Sequence, residues 1–273
     1  MARQNPISMA TGSTTLKEIY GLVIDNVQKK ALSTALKSQQ YTGNPAAGSA
    51  EFTRFVNATS KAYGTARTAG AGDKISAPPV AVVLNQHKEI VEEIAKFDMD
   101  TFTVPGILRR RADNHVNVMA AELDRAFFSE AATGGTAVTP TATAIQDVVE
   151  EIVQQLECVH NNYVDGVDRD MMDFVLSPAK FGRIRTFLDT QPNVNVDTAA
   201  EEFGMYHGVR IYSSTRLPNG TNGILMARQS VAQPVRTDEY SEPEKIPLSN
   251  DYGISLFYDY GTKALAPDLI QVW

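Results

Sequence analysis

PGILRRRADNHVNVMAAELDRAFFSEA, Pro105–Ala131, has the pattern of one long helix around which the rest of the chain must be arranged. Pro105 suits the first turn of a helix, where its missing N–H costs nothing. Val116, Met119, Ala120, Leu123 and Phe127 then recur at helical spacing and form one apolar stripe, with Asn117, Asp124 and Arg125 off it. At about 1.5 Å per residue the stretch makes a rod of roughly 40 Å. Gly134-Gly135 ends it.

Upstream, Glu51–His87 reads as a long two-stranded arm. Phe52, Phe55 and Val56 give the outgoing limb strand character, and Val80, Val82 and Val83 give it to the return. Between them GTARTAGAGDK, Gly64–Lys74, has three glycines and no large apolar side chain, so it reads as a mobile tip. Pro78-Pro79 fits an edge or a free ribbon better than a central strand. A ribbon this long does not stand alone in water, so its missing partners are expected on other copies of the chain. Lys88–Phe97, KEIVEEIAKF, reads as a short acidic helix from Glu89 onward, and Leu16–Lys37 has helical spacing.

Downstream the pattern is mixed. A helix is expected from Thr143, with Gln146 placed for a capping box and a stripe of Ile145, Val148, Val149, Ile152 and Leu156. Glu150 and Glu151 face outward on that reading. Asp173–Leu176 (DFVL) is a buried-strand candidate, and Ser177-Pro178 opens a further helix through Phe181, Ile184 and Leu188. Val209–Ser213, Gly223–Ala227, Ile254–Asp259 and Leu269–Trp273 read as strands. The fold class is α+β.

At 273 residues the chain is long enough for a large core. Its net charge of −7 is uneven: residues 1–80 carry nine Lys/Arg against four acids, and the rest is strongly acidic. A basic first third and an acidic body suit attraction between subunits. A sequence-reading nucleic-acid protein is more often basic overall. The single cysteine, Cys158, allows no disulfide within the chain. The longest apolar run, Pro78–Leu84, is too short to span a bilayer, so no membrane partner is expected.

The search for a catalytic or metal centre returns little. His87, His115, His160 and His207 form no HExxH and no zinc set with Cys158, so no cofactor is expected. Cys158 beside His160 reads as an incidental pair. The glycine-rich tip lacks the GK[ST] ending of a phosphate loop and puts Asp73 where an anion would lie. Asp165, Asp168, Asp170 and Asp173 miss the spacing of a calcium loop and read as solvated. Arg109-Arg110-Arg111 puts three cations at the helix end whose dipole disfavours them. They are expected to meet carboxylates of the type of Glu89, Glu92 and Glu93 on a neighbouring copy. With Arg54, Lys61, Arg67 and Lys74 of the arm they make up the candidate inter-subunit contacts.

In order, the arm, HVNVMAAELDRAFF (His115–Phe128), DFVLSPAKFGRIRTFL (Asp173–Leu188), HGVRIYSSTRLP (His207–Pro218) and DYGISLFYDYGTKALAPDLIQVW (Asp251–Trp273) resemble major capsid proteins of tailed bacteriophages, with the HK97-like fold. The resemblance covers most of the chain from about Leu16. It implies an N-terminal arm at 1–45, an extended E-loop at 46–86 and a peripheral domain at 87–139 around a spine helix at about 105–131. An axial domain at 140–235 and C-terminal strands at 236–273 complete the scheme. It further implies hexamers and pentamers closing into a shell around double-stranded DNA, held without sequence specificity, with a portal protein as partner. The short stretch before the E-loop points to a separate scaffolding protein. No residue identifies a partner asparagine or catalytic carboxylate for covalent cross-linking, so assembly is expected to be non-covalent. The implied place is the virion, assembled in the bacterial host cytoplasm, and the protein is expected not to be an enzyme. The alternatives are an encapsulin-type compartment shell, a soluble enzyme, and a tail or neck ring protein.

Overall fold

Two sheets share one long helix. The computed structural model describes residues 31–39, 48–64, 73–96, 104–190, 204–237 and 244–273. Along the chain these form helix α1 (Leu32–Leu36), strands β1 (Ser49–Thr53), β2 (Pro79–Val83) and β3 (Gln86–Ile94), then the long helix α2 (Val104–Gly134). There follow β4 (Thr136–Ala137), α3 (Ile145–Glu157), β5 (Met172–Leu176), α4 (Pro178–Asp189), β6 (Met205–Tyr206), β7 (Val209–Ser213) and β8 (Gly223–Ala227). The chain ends with β9 (Val231–Ala232), β10 (Val235–Thr237), β11 (Glu244–Lys245), β12 (Tyr252–Tyr260), β13 (Lys263–Ala264) and β14 (Ile270–Val272).

The expected stripe on α2 is buried at every position: Val116, Met119, Ala120, Leu123 and Phe127. Its two halves face different partners. Val116, Met119 and Leu123 pack against Ile254, Leu256, Tyr258 and Tyr260 of β12. Phe127, Phe128 and Ala131 pack against Val175, Ile224, Met226 and Ile270.

The second group belongs to a six-stranded sheet of order β4-β14-β8-β5-β7-β6. Strand β5 lies inside it, parallel to β7 and antiparallel to β8. That position explains its nearly continuous apolar sequence, since both faces are covered. The end of α2 covers one face. On the other, Val149, Ile152, Val153 and Leu156 of α3 and Ile184 of α4 pack on Phe174, Leu176, Ile211 and Leu225. Gly135 lets the chain leave α2 against β14, because a Cβ there would lie 2.7 Å from Ile270 and 2.8 Å from Val272.

Several expectations are corrected. The stretch from Glu89 is not a helix through Ile94: Gln86–Ile94 is strand β3, paired antiparallel with all nine residues of β12. Ile90 and Ile94 satisfy both periods. The alternation Lys88, Ile90, Glu92, Ile94 prevails because β12 supplies a full-length partner. The arm's ladder is shorter than read, with five pairs from Ser49↔Val83 to Thr53↔Pro79. One further bond, Val56 N–H to Ser76 O at 3.0 Å, continues it. The capping box does not form. Ala144 is the N-cap of α3 and makes no side-chain bond. Instead Glu151 reaches back to accept from the N–H groups of Thr141 and Ala142, at 2.9 and 3.2 Å. Asp124, read as off the stripe, is buried. Asp173, read as part of a solvated run, is buried in β5 beside Arg228.

Of the helical stretch read at Leu16–Lys37, only the end falls among the described residues, as α1. Its Leu36 joins Phe127 and Phe128 in the core, and Ser38 N–H donates to Val231 O at 2.7 Å. The tip residues 65–72, with Arg67, and the side chains of Arg109 and Arg110 lie outside the described residues.

Candidate assembly surfaces

Three regions carry polar or apolar groups in arrangements that core packing alone does not require. The first is the ribbon. Phe55, Tyr63 and Ile75 are 62%, 93% and 86% exposed. Lys61 and Asp73 pair across the ribbon at 2.6 Å, both exposed, and Lys74 beyond them is exposed. Large apolar side chains exposed together on one element mark a surface that meets something else.

The ribbon's base, by contrast, is held. Arg54 does not point outward as an inter-subunit cation. Its guanidinium donates to both carboxylate oxygens of Asp268, at 2.7 and 2.9 Å, and lies 4.4 Å from the centre of the Tyr163 ring. Asn161 Nδ2 donates to the same carboxylate at 2.6 Å. Burial pushes the Asp268 carboxyl up, but the Arg54 and Asn161 hydrogen bonds prevail and leave it below its ordinary value. On the return limb Val83 O sits where a side chain on Gly261 would be, 2.1 Å from its Cβ position.

The second region is the β3–β12 sheet. Its inner face meets α2 through charge as well as apolar packing. Glu92 pairs with Arg111 and lies 3.1 Å from the fully buried His115 Nε2. The Arg111 hydrogen bond, set against the cost of burial, holds the Glu92 carboxyl below its ordinary value. Burial pulls the His115 imidazole down, with Glu92 opposing. So Arg111 and Glu92, expected to meet across a subunit boundary, meet within one chain. Two helical turns beyond His115, Glu122 accepts from the hydroxyls of Tyr258 and Tyr260 and pairs with Lys88 at 3.0 Å. Burial raises the Tyr260 hydroxyl to about 12.

The outer face of that sheet carries His87, Glu89, Val91 and Glu93, all exposed. Phe257 stands opposite Glu89 in the ladder and is exposed too. This face is acidic with an apolar centre.

The third region lies on the six-stranded unit. Arg169 joins Glu150 at 2.6 Å and Glu157 at 2.9 Å. His207 Nδ1 lies 2.8 Å from Glu150. The Arg169 hydrogen bonds, opposed by burial and aided by His207, hold the Glu150 carboxyl down to about 2. The cluster pins the His207-Gly208 turn, where both residues are left-handed at φ 52° and 83°, to α3. Sequence reading missed it, because Glu150 was taken as solvated and nothing local marks Arg169 as its partner. The same holds for Asp124, whose partners lie 91 and 92 residues away.

The histidines do not converge. Each of the four sits beside a different carboxylate: His87 by Asp259, His115 by Glu92, His160 by Asp165 and His207 by Glu150. Cys158 is exposed at the end of α3. Among the described residues no three metal-ligating side chains gather at one point, and no helix is long and apolar enough to cross a membrane.

A family model described as phage capsid protein matches residues 88–271, about two thirds of the chain. No curated protein matches it by sequence. Among solved structures, one from Mycobacterium phage Che8 superposes with a TM-score of 0.64 at 20% identity, covering 89% of this chain and 90% of that one. The capsid of an empty GTA particle gives 0.63 at 15%, covering 89% of each. A virus-like particle from Pyrococcus furiosus gives 0.56 at 12%, covering 94% and 97%. At these identities the likenesses establish a shared fold.

Proposed function

The chain belongs to the phage capsid protein family, and from that premise we propose that its copies form hexamers and pentamers that close into the head shell of a tailed bacteriophage around double-stranded DNA. It is a shell-building structural protein with the HK97-like fold. The observation that carries the proposal is the family match over 88–271, which takes in all of α2 and nearly all of both sheets.

In this reading residues 1–45 are the N-terminal arm, 46–86 the E-loop, 87–139 the peripheral domain and 140–235 the axial domain, with 236–273 closing the fold. The ribbon is the bridge between copies. Its exposed Phe55, Tyr63 and Ile75, with Lys61, Arg67 and Lys74, suit the outer face of a neighbour's β3–β12 sheet, where Glu89 and Glu93 flank Val91 and Phe257. Apolar contact supplies affinity there, and opposite charge supplies register and encounter rate. Arg109 and Arg110 remain candidates for a neighbour's carboxylates. A heterologous contact of this kind propagates and closes around local symmetry axes.

The same reading makes the protein a virion component without catalytic activity, assembled in the host cytoplasm. A separate scaffolding protein, a portal and DNA bound without sequence preference are its partners. The fold also serves the Pyrococcus furiosus virus-like particle, but that likeness carries fold alone, and the family match favours the phage head.

The test is negative-stain electron microscopy of the purified protein at high concentration, alone and with a co-expressed scaffold. Closed shells or capsomer rings are expected. A monodisperse monomer under both conditions overturns the proposal.

A further inference from the structure

We propose that the Arg54–Asp268 clamp fixes the tilt of the projecting ribbon against its own subunit, and thereby sets how sharply an assembled shell curves. The inference rests on the shell-building reading and adds a residue-level determinant to it.

Arg54 is the first residue beyond the β1–β2 ladder. Its two bonds to Asp268, with the Tyr163 ring beneath, are the arrangement that a planar guanidinium makes and an ammonium does not. The receiving surface is itself preset. Asn161 holds the Asp268 carboxylate with its Nδ2 and accepts from Tyr163 N–H and Val164 N–H with its Oδ1, at 2.8 and 3.0 Å. Three residues further out on the ribbon, Asn57 N–H donates to Asn162 O at 2.9 Å. The loop after α3 and the turn before β14 therefore grip the outgoing limb together.

The return limb is gripped differently. Val83 lies against Gly261 backbone to backbone, and Lys263 Nζ donates to Ala81 O at 3.1 Å. That close contact is a pivot, and the Arg54 clamp is the second point that stops rotation about it. Apolar packing holds only the inner part of the base, where Ala50, Phe52 and Val82 meet Ala232 and Leu265. A cavity of about 160 Å³ lies under the ribbon's base, lined by Phe52, Thr53, Val80, Arg228 and Leu265 among others. Beyond that apolar patch the tilt is held by polar contacts across a space that leaves room to move.

A small tilt is amplified. Between Arg54 and Gly64 the limb can reach up to roughly 30 Å if it is extended at about 3.3 Å per residue. A rotation of roughly 5° moves the far end by roughly 3 Å, about one residue of strand register. Whether repeated heterologous contacts close, and at what size, depends on the angle each copy presents.

The test compares wild type, Arg54→Ala and the exchange Arg54→Asp/Asp268→Arg as full-length proteins. Thermal melts by circular dichroism establish that each subunit folds. Electron microscopy then measures the diameter distribution of assembled particles, and hydrogen exchange measures protection of the Asn57 N–H in unassembled subunits. Arg54→Ala is expected to melt like wild type, to lose at least tenfold of the Asn57 protection, and to give mixed diameters, open sheets or no particles. The exchange is expected to recover uniform particles. Wild-type diameters from Arg54→Ala overturn the inference, as does an exchange variant no better than Arg54→Ala. If wild type itself makes no particles, the shell reading fails. The clamp is then judged on exchange alone, and unchanged Asn57 protection in Arg54→Ala overturns it.

Discussion

Asp124→Ala tests how the start of the described chain is tied to the rest. Asp124 is 2% exposed on α2. Its carboxylate accepts from Ser33 N–H at 2.8 Å and Leu32 N–H at 3.3 Å, and pairs with Arg216 at 2.7 Å. One side chain thus joins α1, α2 and the loop between β7 and β8. Leaving a buried N–H unsatisfied costs about 1–3 kcal/mol, and a lost hydrogen bond to a charged group about 1.5–3 kcal/mol. Arg216 keeps a bond to Ala120 O at 3.2 Å and is partly open to water, which places its share at the lower end. The sum is about 3–4 kcal/mol, within the range for breaking one side of a buried pair. At about 2–4 °C per kcal/mol for a domain of this size the melting temperature falls by roughly 6–16 °C. Asp124→Asn keeps an acceptor for Ser33 N–H but loses the charge, so it falls by about half as much. The assay is thermal and urea unfolding by circular dichroism, with limited proteolysis reporting release of the segment around α1. A change under about 1 kcal/mol in Asp124→Ala refutes the reasoning, because the three bonds would then contribute no net stability.

Other substitutions probe the remaining contacts. Gly261→Ala forces a Cβ to within 2.1 Å of Val83 O, so the ribbon's base must shift; faster proteolysis between residues 54 and 84 than in wild type is expected, and an unchanged cleavage rate contradicts the close approach. Phe55→Ser with Ile75→Ser removes two exposed side chains, so subunit stability stays within about 0.5 kcal/mol while sedimentation shows loss of assembly. Glu92→Gln changes the pH profile. The Glu92 carboxyl titrates lower in the folded state than in the unfolded, so its contribution is present above the unfolded value near 4.5 and is lost as pH falls through the folded one. His115 is lowered from 6.5 by burial, so the unfolded state takes up its proton first and stability also drops as pH falls below about 6.5. Wild-type melting temperature is therefore expected to decline in two stages from pH 7 to 3. Glu92→Gln, measured by the same melts, makes the lower stage shallower, and the rest of it comes from carboxylates such as Glu150 and Asp268 that are also held low.

The stripe on α2, the strands at Val209–Ser213, Gly223–Ala227 and Ile254–Asp259, and the Ser177-Pro178 helix start were legible because each is a local pattern. Periodicity is imposed by which face of an element is buried, so it survives in the sequence. The family resemblance was legible for the same reason, since it rests on several such patterns in fixed order. Where two periods fit equally, as at Lys88–Phe97, only the partner decides: β12 offers nine residues of ladder, and the segment becomes a strand. The polar contacts were illegible. Asp124 with Ser33 and Arg216, Arg54 with Asp268, and Arg169 with Glu150 join positions 19 to 214 residues apart. A charged residue on paper looks solvated until the fold brings its counter-ion within 3 Å. Sequence alone determined which residues had to be buried and, through them, the fold class and family; tertiary structure decided which charges hold the pieces together, because that depends on distances no spacing along the chain encodes.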